Sequence, residues 1–421
     1  MTGPALRVAT YGYFGMGNIG NEGSLTAFLG LLRERYPHAD VTCFAADPEA
    51  VRREHGIAAT RLMAFRPSGE GGGLLVNAVK AVSRLWDVPR TFAMTRDVDV
   101  LVMPGTGPLE TSLNTSPLGL PYWLFLAALS CRLRRRKVAL VSVGAEYADN
   151  PATRWLYRWT VRLSDYCSLR DEASRDAVRA MGVRRRLDGV FPDLAFALPA
   201  PPERPQRAGH VVVGVMEYDG SPDDPRRGPA VVRAYVDKMS RLLTRLTDQG
   251  CTATLVVGDV ADLGLSAEIE EAVRSARPSL SPDALSVSPA GTMHEIMAEM
   301  AEAQVVVASR FHNLICALKL ARPTVSLGYA GKSARLMEEL GLGDFCQRAD
   351  DFDVDRLVEQ VAEVQKVQPS VETHMKETLR GFEEQLSAQL DQLSRKVLEP
   401  AARRRREDRR GALRGARRGR R

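Results

Sequence analysis

A chain of 421 residues, 44% hydrophobic and 26% charged, is long enough to bury two or three cores and excludes a disordered or fibrous protein. Its six cysteines (Cys43, Cys131, Cys167, Cys251, Cys316 and Cys346) stand singly, which argues against a disulfide scaffold or a zinc site and fits a reducing cytoplasm. The net charge of +6 is local: residues 403–421 hold eleven arginines against Glu407 and Asp408, so residues 1–402 carry −3 and no nucleic-acid partner is expected.

In chain order, Leu6 to Tyr11 alternates like a strand and shows no secretory leader. Gly12 to Gly23 is then a glycine loop leading into the apolar-periodic stretch Leu25 to Leu32. Glycines let backbone N–H groups approach a ligand, and the helix start behind them favours an anion, so Gly15, Gly17, Asn18, Gly20 and Glu22 are candidate substrate-binding residues. Gly15, Gly17 and Gly20 also satisfy Gly-x-Gly-x-x-Gly, and Asp47 follows the second strand, Val41 to Ala46, so a dinucleotide site stays open. The spacing to Asp47 exceeds the usual ~20 residues, and Asn18, Asn21 and Glu22 put polar side chains where such loops are small.

A third strand, Val98 to Met103, ends in a second glycine loop whose Gly105 and Gly107 are further binding candidates. The apolar run Leu118 to Cys131 holds Pro121 and stops at Arg132 to Lys137, short of the ~20 residues that span a bilayer. After a strand at Val138 to Val143 and a run of four prolines within residues 198–210, strands recur at Val211 to Met216, Ala253 to Val257, Val305 to Ala308 and Thr324 to Leu327, with helices between. The expected plan is an α/β domain over residues 1–197, a linker over 198–210, a second α/β domain over 211–345, a helical segment over 346–400 and a disordered arginine-rich tail over 401–421.

The sharpest constellation is Ser309-Arg310-Phe311-His312 at a strand end, followed by Tyr329 and Lys332 after the next strand. Arginine there can grip a carboxylate or phosphate with its fork, histidine can trade a proton near neutral pH, and lysine adds charge.

These residues carry a resemblance. The loop from Gly15 to Glu22, Ser168-Leu169-Arg170-Asp171, Pro192 to Phe196 and the Ser-Arg-Phe-His to Tyr-x-x-Lys block, spread over about Leu6 to Leu342, resemble the polysaccharide pyruvyl transferase family. The resemblance implies two Rossmann-like α/β domains similar to the glycosyltransferase B architecture, phosphoenolpyruvate as co-substrate with no further cofactor or metal, and a sugar or glycan acceptor, lipid-linked or free. It places catalysis on Arg310 and His312 and substrate binding on Arg170 and Lys332. Asn21 stands where the family has an aspartate, leaving Glu22 as the nearest carboxylate. The rival readings are a nucleotide-sugar glycosyltransferase of the same fold, an NAD(P)-binding oxidoreductase and a non-catalytic sugar-binding protein. A cytoplasmic location with peripheral contact at the inner face of a membrane fits the charge pattern.

Overall fold

The computed structural model describes residues 5–63, 74–111, 116–217, 228–328, 331–366 and 369–418. Its contacts divide the chain into two units, one of Met1–Met16, Ser24–Ala197 and Glu384–Arg421, the other of Gly17–Gly23 and Leu198–Glu383.

The first unit is built on a seven-stranded sheet of β1 (Arg7–Tyr11), β2 (Asp40–Ala45), β3 (Ala58–Arg61), β4 (Val100–Pro104), β5 (Lys137–Val143), β6 (Tyr166–Leu169) and β7 (Gly189–Val190). All its pairings are parallel, in the order β3-β2-β1-β4-β5-β6-β7. Central strands such as β4, buried along its whole length, read as continuous apolar runs because helices cover both faces. The intervening helices begin where their caps dictate: Asn150 accepts from Ala152 and Thr153 ahead of the helix Pro151–Leu163.

The second unit repeats the plan with β8 (His210–Val215), β9 (Thr252–Val257), β10 (Leu285–Val287), β11 (Val305–Ala308), β12 (Thr324–Gly328) and β13 (Cys346–Arg348), in the parallel order β10-β9-β8-β11-β12-β13. Strand β13 lies inside the segment expected to be wholly helical; its three residues carry no apolar run, and it pairs with β12. In both sheets the strand order reverses next to the first strand, between β1 and β4 and between β8 and β11. Ligands of such sheets bind outside the carboxyl ends at that switch point.

The expectation of a disordered tail from residue 401 is corrected: Glu399–Arg418 is a helix. Arginines of its first turns have partners that composition alone hides. Arg405 reaches the buried Asp99 at 3.1 Å and Arg404 donates to the Arg135 carbonyl. The preceding helix is anchored in the same unit, where Gln389 Nε2 donates at 2.8 Å to both Ser142 Oγ on β5 and Ser168 Oγ on β6. Among the described residues no helix is long and apolar enough to cross a membrane.

Candidate active site

At the switch point of the second unit, β11 ends in Ser309, whose hydroxyl donates to the Gly214 carbonyl of β8 at 2.7 Å. That bond ties the two strands where they diverge. Arg310 follows as the N-cap of the helix Phe311–Lys319 and offers it no side-chain cap, so the first N–H groups of that helix point to the crevice. Gly258, at the end of β9, lies beneath Arg310: a Cβ there would meet Arg310 Cδ at 2.8 Å.

The Arg310 guanidinium forks onto Asp262, Nε to Oδ2 and Nη2 to Oδ1 both at 2.6 Å. Asp262 is completely buried, whereas the Arg310 side chain is 23% exposed. The backbone N–H of Glu217 donates to the same carboxylate at 2.9 Å. Arg310 is thus a partly exposed cation held in plane from behind by a buried acid.

His312 is the second residue of the helix Phe311–Lys319, its ring edge-on to Phe311 with centroids 5.7 Å apart. Lys332 Nζ lies 5.2 Å from the centroid of the same Phe311 ring. Phe311 therefore sits between an imidazole and an ammonium, and a lysine over an aromatic face is attracted by the ring quadrupole. Tyr329 lies outside the described residues.

The first glycine loop joins this cluster through residues 17–23. Asn18 forms a bridge with Asp259, Nδ2 donating to Oδ2 at 2.9 Å, and its Oδ1 caps the helix Ile19–Arg35 by accepting from Asn21 N at 3.1 Å. Ile19 N donates to the Gly258 carbonyl and Val260 N to the Gly17 carbonyl, each at 3.2 Å. These bonds set Gly20 against His312, where an added Cβ would fall 1.9 Å from Nδ1. Gly20→Ala is accordingly expected to displace the imidazole by about 1 Å or more and reduce turnover by ~10²-fold with little loss of folded protein, as checked by steady-state rates beside circular dichroism.

All three glycines of the dinucleotide-like pattern are occupied in this way. A Cβ on Gly15 would lie 2.3 Å from the Asp47 carbonyl, and one on Gly17 would lie 2.4 Å from Val260 Cγ2. These glycines serve close packing within the chain, and Asp47 caps the helix Pro48–His55 through Glu49 N. The oxidoreductase reading finds no support here.

The remaining sequence candidates lie in the first unit. Gly105 packs on Ser24, with φ +55° and 2.7 Å from an added Cβ to Ser24 Cβ, and Gly107 packs on Glu110. Arg170 is buried and surrounded by the carboxylates of Glu110, of Asp193 at 3.4 Å and of Asp171 at 3.6 Å. Burial works against its charge, and the three acids outweigh it and hold the pKa above the ordinary arginine value. The structure thus makes Arg170 the node of an ion-pair network binding the β4 and β6 loops. Glu22, half-buried, donates its backbone N–H to the Asn18 carbonyl.

Sequence reasoning missed Asp262, Asp259 and Asn313. Asp259 follows Val257-Gly258 directly and Asp262 three residues later, a strand end followed by glycine and acids, which was a usable signal. Asn313 is 1% exposed, and its Oδ1 and Nδ2 have no hydrogen-bond partner among the described residues; an added Cβ on Gly214 would lie 3.0 Å from that Nδ2. Leaving such an amide unsatisfied costs ~1–3 kcal/mol.

The sequence profile described as Polysaccharide pyruvyl transferase matches residues 18–331. The chain belongs to the polysaccharide pyruvyl transferase family. It is therefore a member of a transferase family, and the match runs from Asn18 through the Arg310-Phe311-His312 block to the start of the helix that bears Lys332. No curated protein matches it. Solved structures do match in fold. UDP-GlcNAc 2-epimerase from Methanocaldococcus jannaschii gives a TM-score of 0.57 at 11% identity, covering 87% of this chain and 94% of that one. The Neisseria meningitidis UDP-GlcNAc 2-epimerase, solved with UDP-GlcNAc bound, gives 0.53 at 10% identity, with 88% and 94% covered. The glycotransferase of kitacinnamycin gives 0.53 at 15% identity, with 93% and 99% covered. At these identities the likeness is one of fold, and the two doubly wound sheets of this pyruvyl transferase family member are those of glycosyltransferase B-like proteins.

Proposed function

We propose that this protein transfers pyruvate from phosphoenolpyruvate to a sugar acceptor as a ketal. The observation that carries the reading is the meeting of Arg310, His312 and Lys332 around the N-terminus of one helix at the switch point of the second sheet. Three sources of positive potential suit a donor that carries both a phosphate and a carboxylate, and the imidazole beside them suits proton transfer.

The reaction balances without any other reagent. The methylene carbon of phosphoenolpyruvate takes up a proton, one sugar hydroxyl adds at C2, the C2–O bond to phosphate breaks, and a second hydroxyl closes the ketal. Of the two hydroxyl protons, one ends on the new methyl group and the other on phosphate. His312 is the proton carrier in this scheme. Arg310 and Lys332 stabilise the donor and the departing phosphate, and Asp262 keeps the guanidinium oriented so that little reorganisation is needed. The supply of phosphoenolpyruvate puts the reaction in the cytoplasm.

Asn313 supplies the remaining polar contact, a buried amide that a donor oxygen can satisfy. Asn313→Ala is expected to weaken phosphoenolpyruvate binding by roughly tenfold without lowering the melting temperature, since it deletes two unpaired buried polar atoms. Calorimetric titration and scanning calorimetry on the same preparation check both halves. The function itself is tested by titrating the protein with phosphoenolpyruvate and with a panel of nucleotide sugars. Saturable binding of phosphoenolpyruvate alone is the expected result. Binding of a nucleotide sugar alone would instead make the protein a glycosyltransferase.

A further inference from the structure

The opposite, amino-terminal edge of the first sheet carries a second cationic site that pyruvyl transfer does not use. Arg7 opens β1, Asp99 precedes β4 and Arg136 precedes β5, so the three stand together at the foot of the switch point. The C-terminal helix brings Arg405, Asp408 and Arg409 to the same place, and these six residues line a cavity of about 460 Å³.

The charge in this cavity does not balance. Asp99 is buried, and three guanidiniums converge on it, Arg405 at 3.1 Å, Arg136 at 3.3 Å and Arg7 at 3.7 Å. One carboxylate thus faces three cations, of which Arg7 is also paired with the exposed Asp97 at 3.0 Å; adding Asp408 and Arg409 leaves the cavity lining itself at an excess of two positive charges. Among the described residues, Arg7, Arg136 and Arg405 each also keep a buried Nε–H with no hydrogen-bond acceptor. Like charges held this closely around a half-enclosed space repel unless an anion joins them, and guanidinium forks favour tetrahedral oxyanions.

We infer that this cavity binds a phosphate group as a dianion. The volume accommodates a phosphate with a small substituent, and two negative charges neutralise the excess. Such a group could come from a soluble phosphate or from the headgroup of an anionic lipid. Leu133, 65% exposed, and the exposed Arg132 stand three and four positions before Arg136 in the chain, a setting that suits a lipid surface as well.

The test uses the full chain. Wild type, Arg409→Gln, the Arg136→Gln/Arg405→Gln pair and Lys332→Ala are each titrated with inorganic phosphate, and separately with phosphatidylcholine vesicles with and without phosphatidic acid. The expected result is binding by wild type that weakens at least about tenfold in the double variant and about threefold in Arg409→Gln. Lys332→Ala, which alters only the crevice at β11, keeps this binding, so the two sites are told apart. Arg409 is exposed, and its replacement leaves the pairs to Asp99 in place, which keeps the test decisive where the double variant does not fold. Binding of free phosphate alone identifies a soluble ligand, and binding of phosphatidic acid vesicles alone identifies a headgroup; both support the site. No binding, equal binding by all four proteins, or an equal response to chloride at matched ionic strength would overturn it.

Discussion

His312→Ala is expected to lower the single-turnover rate of pyruvyl transfer by ~10²- to 10⁴-fold, the usual contribution of a positioned proton carrier. Donor affinity and melting temperature should stay close to wild type. The side chain is half-buried and its position is set by neighbours that remain after truncation, with Phe311 on one side and Gly20 on the other. What the variant loses is the ring that carries the proton. Rapid-quench measurement at saturating phosphoenolpyruvate, paired with scanning calorimetry, separates a chemical defect from an unfolding one. A variant that turns over at the wild-type rate would remove His312 from the mechanism.

Arg310→Ala should behave in the opposite way, damaging stability as well as function. Removing the guanidinium leaves Asp262 charged and fully buried with the Glu217 N–H as its remaining side-chain partner among the described residues, and breaking such a pair typically costs ~3–5 kcal/mol. For a unit of this size the melting temperature should fall on the order of 10 °C. A second substitution disentangles the two losses. Asp262→Asn neutralises the stranded charge while its carbonyl can still accept from Glu217 N, so the Arg310→Ala/Asp262→Asn pair should recover most of the stability. It should not recover donor affinity, which stays about ten- to a hundredfold below wild type because the fork is gone. If affinity returned with stability, Arg310 would be a brace for the second unit and not a donor contact. Lysine at 310 keeps the charge without the planar two-point grip and should rescue only part of either property.

Much of this was legible in the sequence, for physical reasons. Strands buried on both faces, such as Val305 to Ala308, announce themselves as β-branched runs, and a glycine-rich or charged loop after such a strand lies on the ligand edge of a parallel sheet. Short edge strands gave no such signal. Ala58–Arg61 and Cys346–Arg348 are strands because a neighbour offers its hydrogen-bonding edge, not because their residues prefer it. Long-range partners were also hidden. The pair Gly20 and His312 is separated by almost three hundred positions, and nothing local says that the glycine serves the imidazole. Arg170 shows another limit, since nothing around an arginine at a strand end says in sequence that three carboxylates of its own chain surround it. Arg405 looked like part of a solvated block because Asp99, its buried counter-charge, is some three hundred residues away.

Pyruvyl transfer by the cluster of Arg310, His312 and Lys332 is tested by incubating the protein with phosphoenolpyruvate and a panel of sugar diols. Phosphate release and the acceptor mass are followed together. The expected result is phosphate released in equal amount to a product heavier than its acceptor by one pyruvate less water, with both signals lost in His312→Ala. Phosphate release with unmodified acceptor, or product formed at the same rate by the His312 variant, would contradict it.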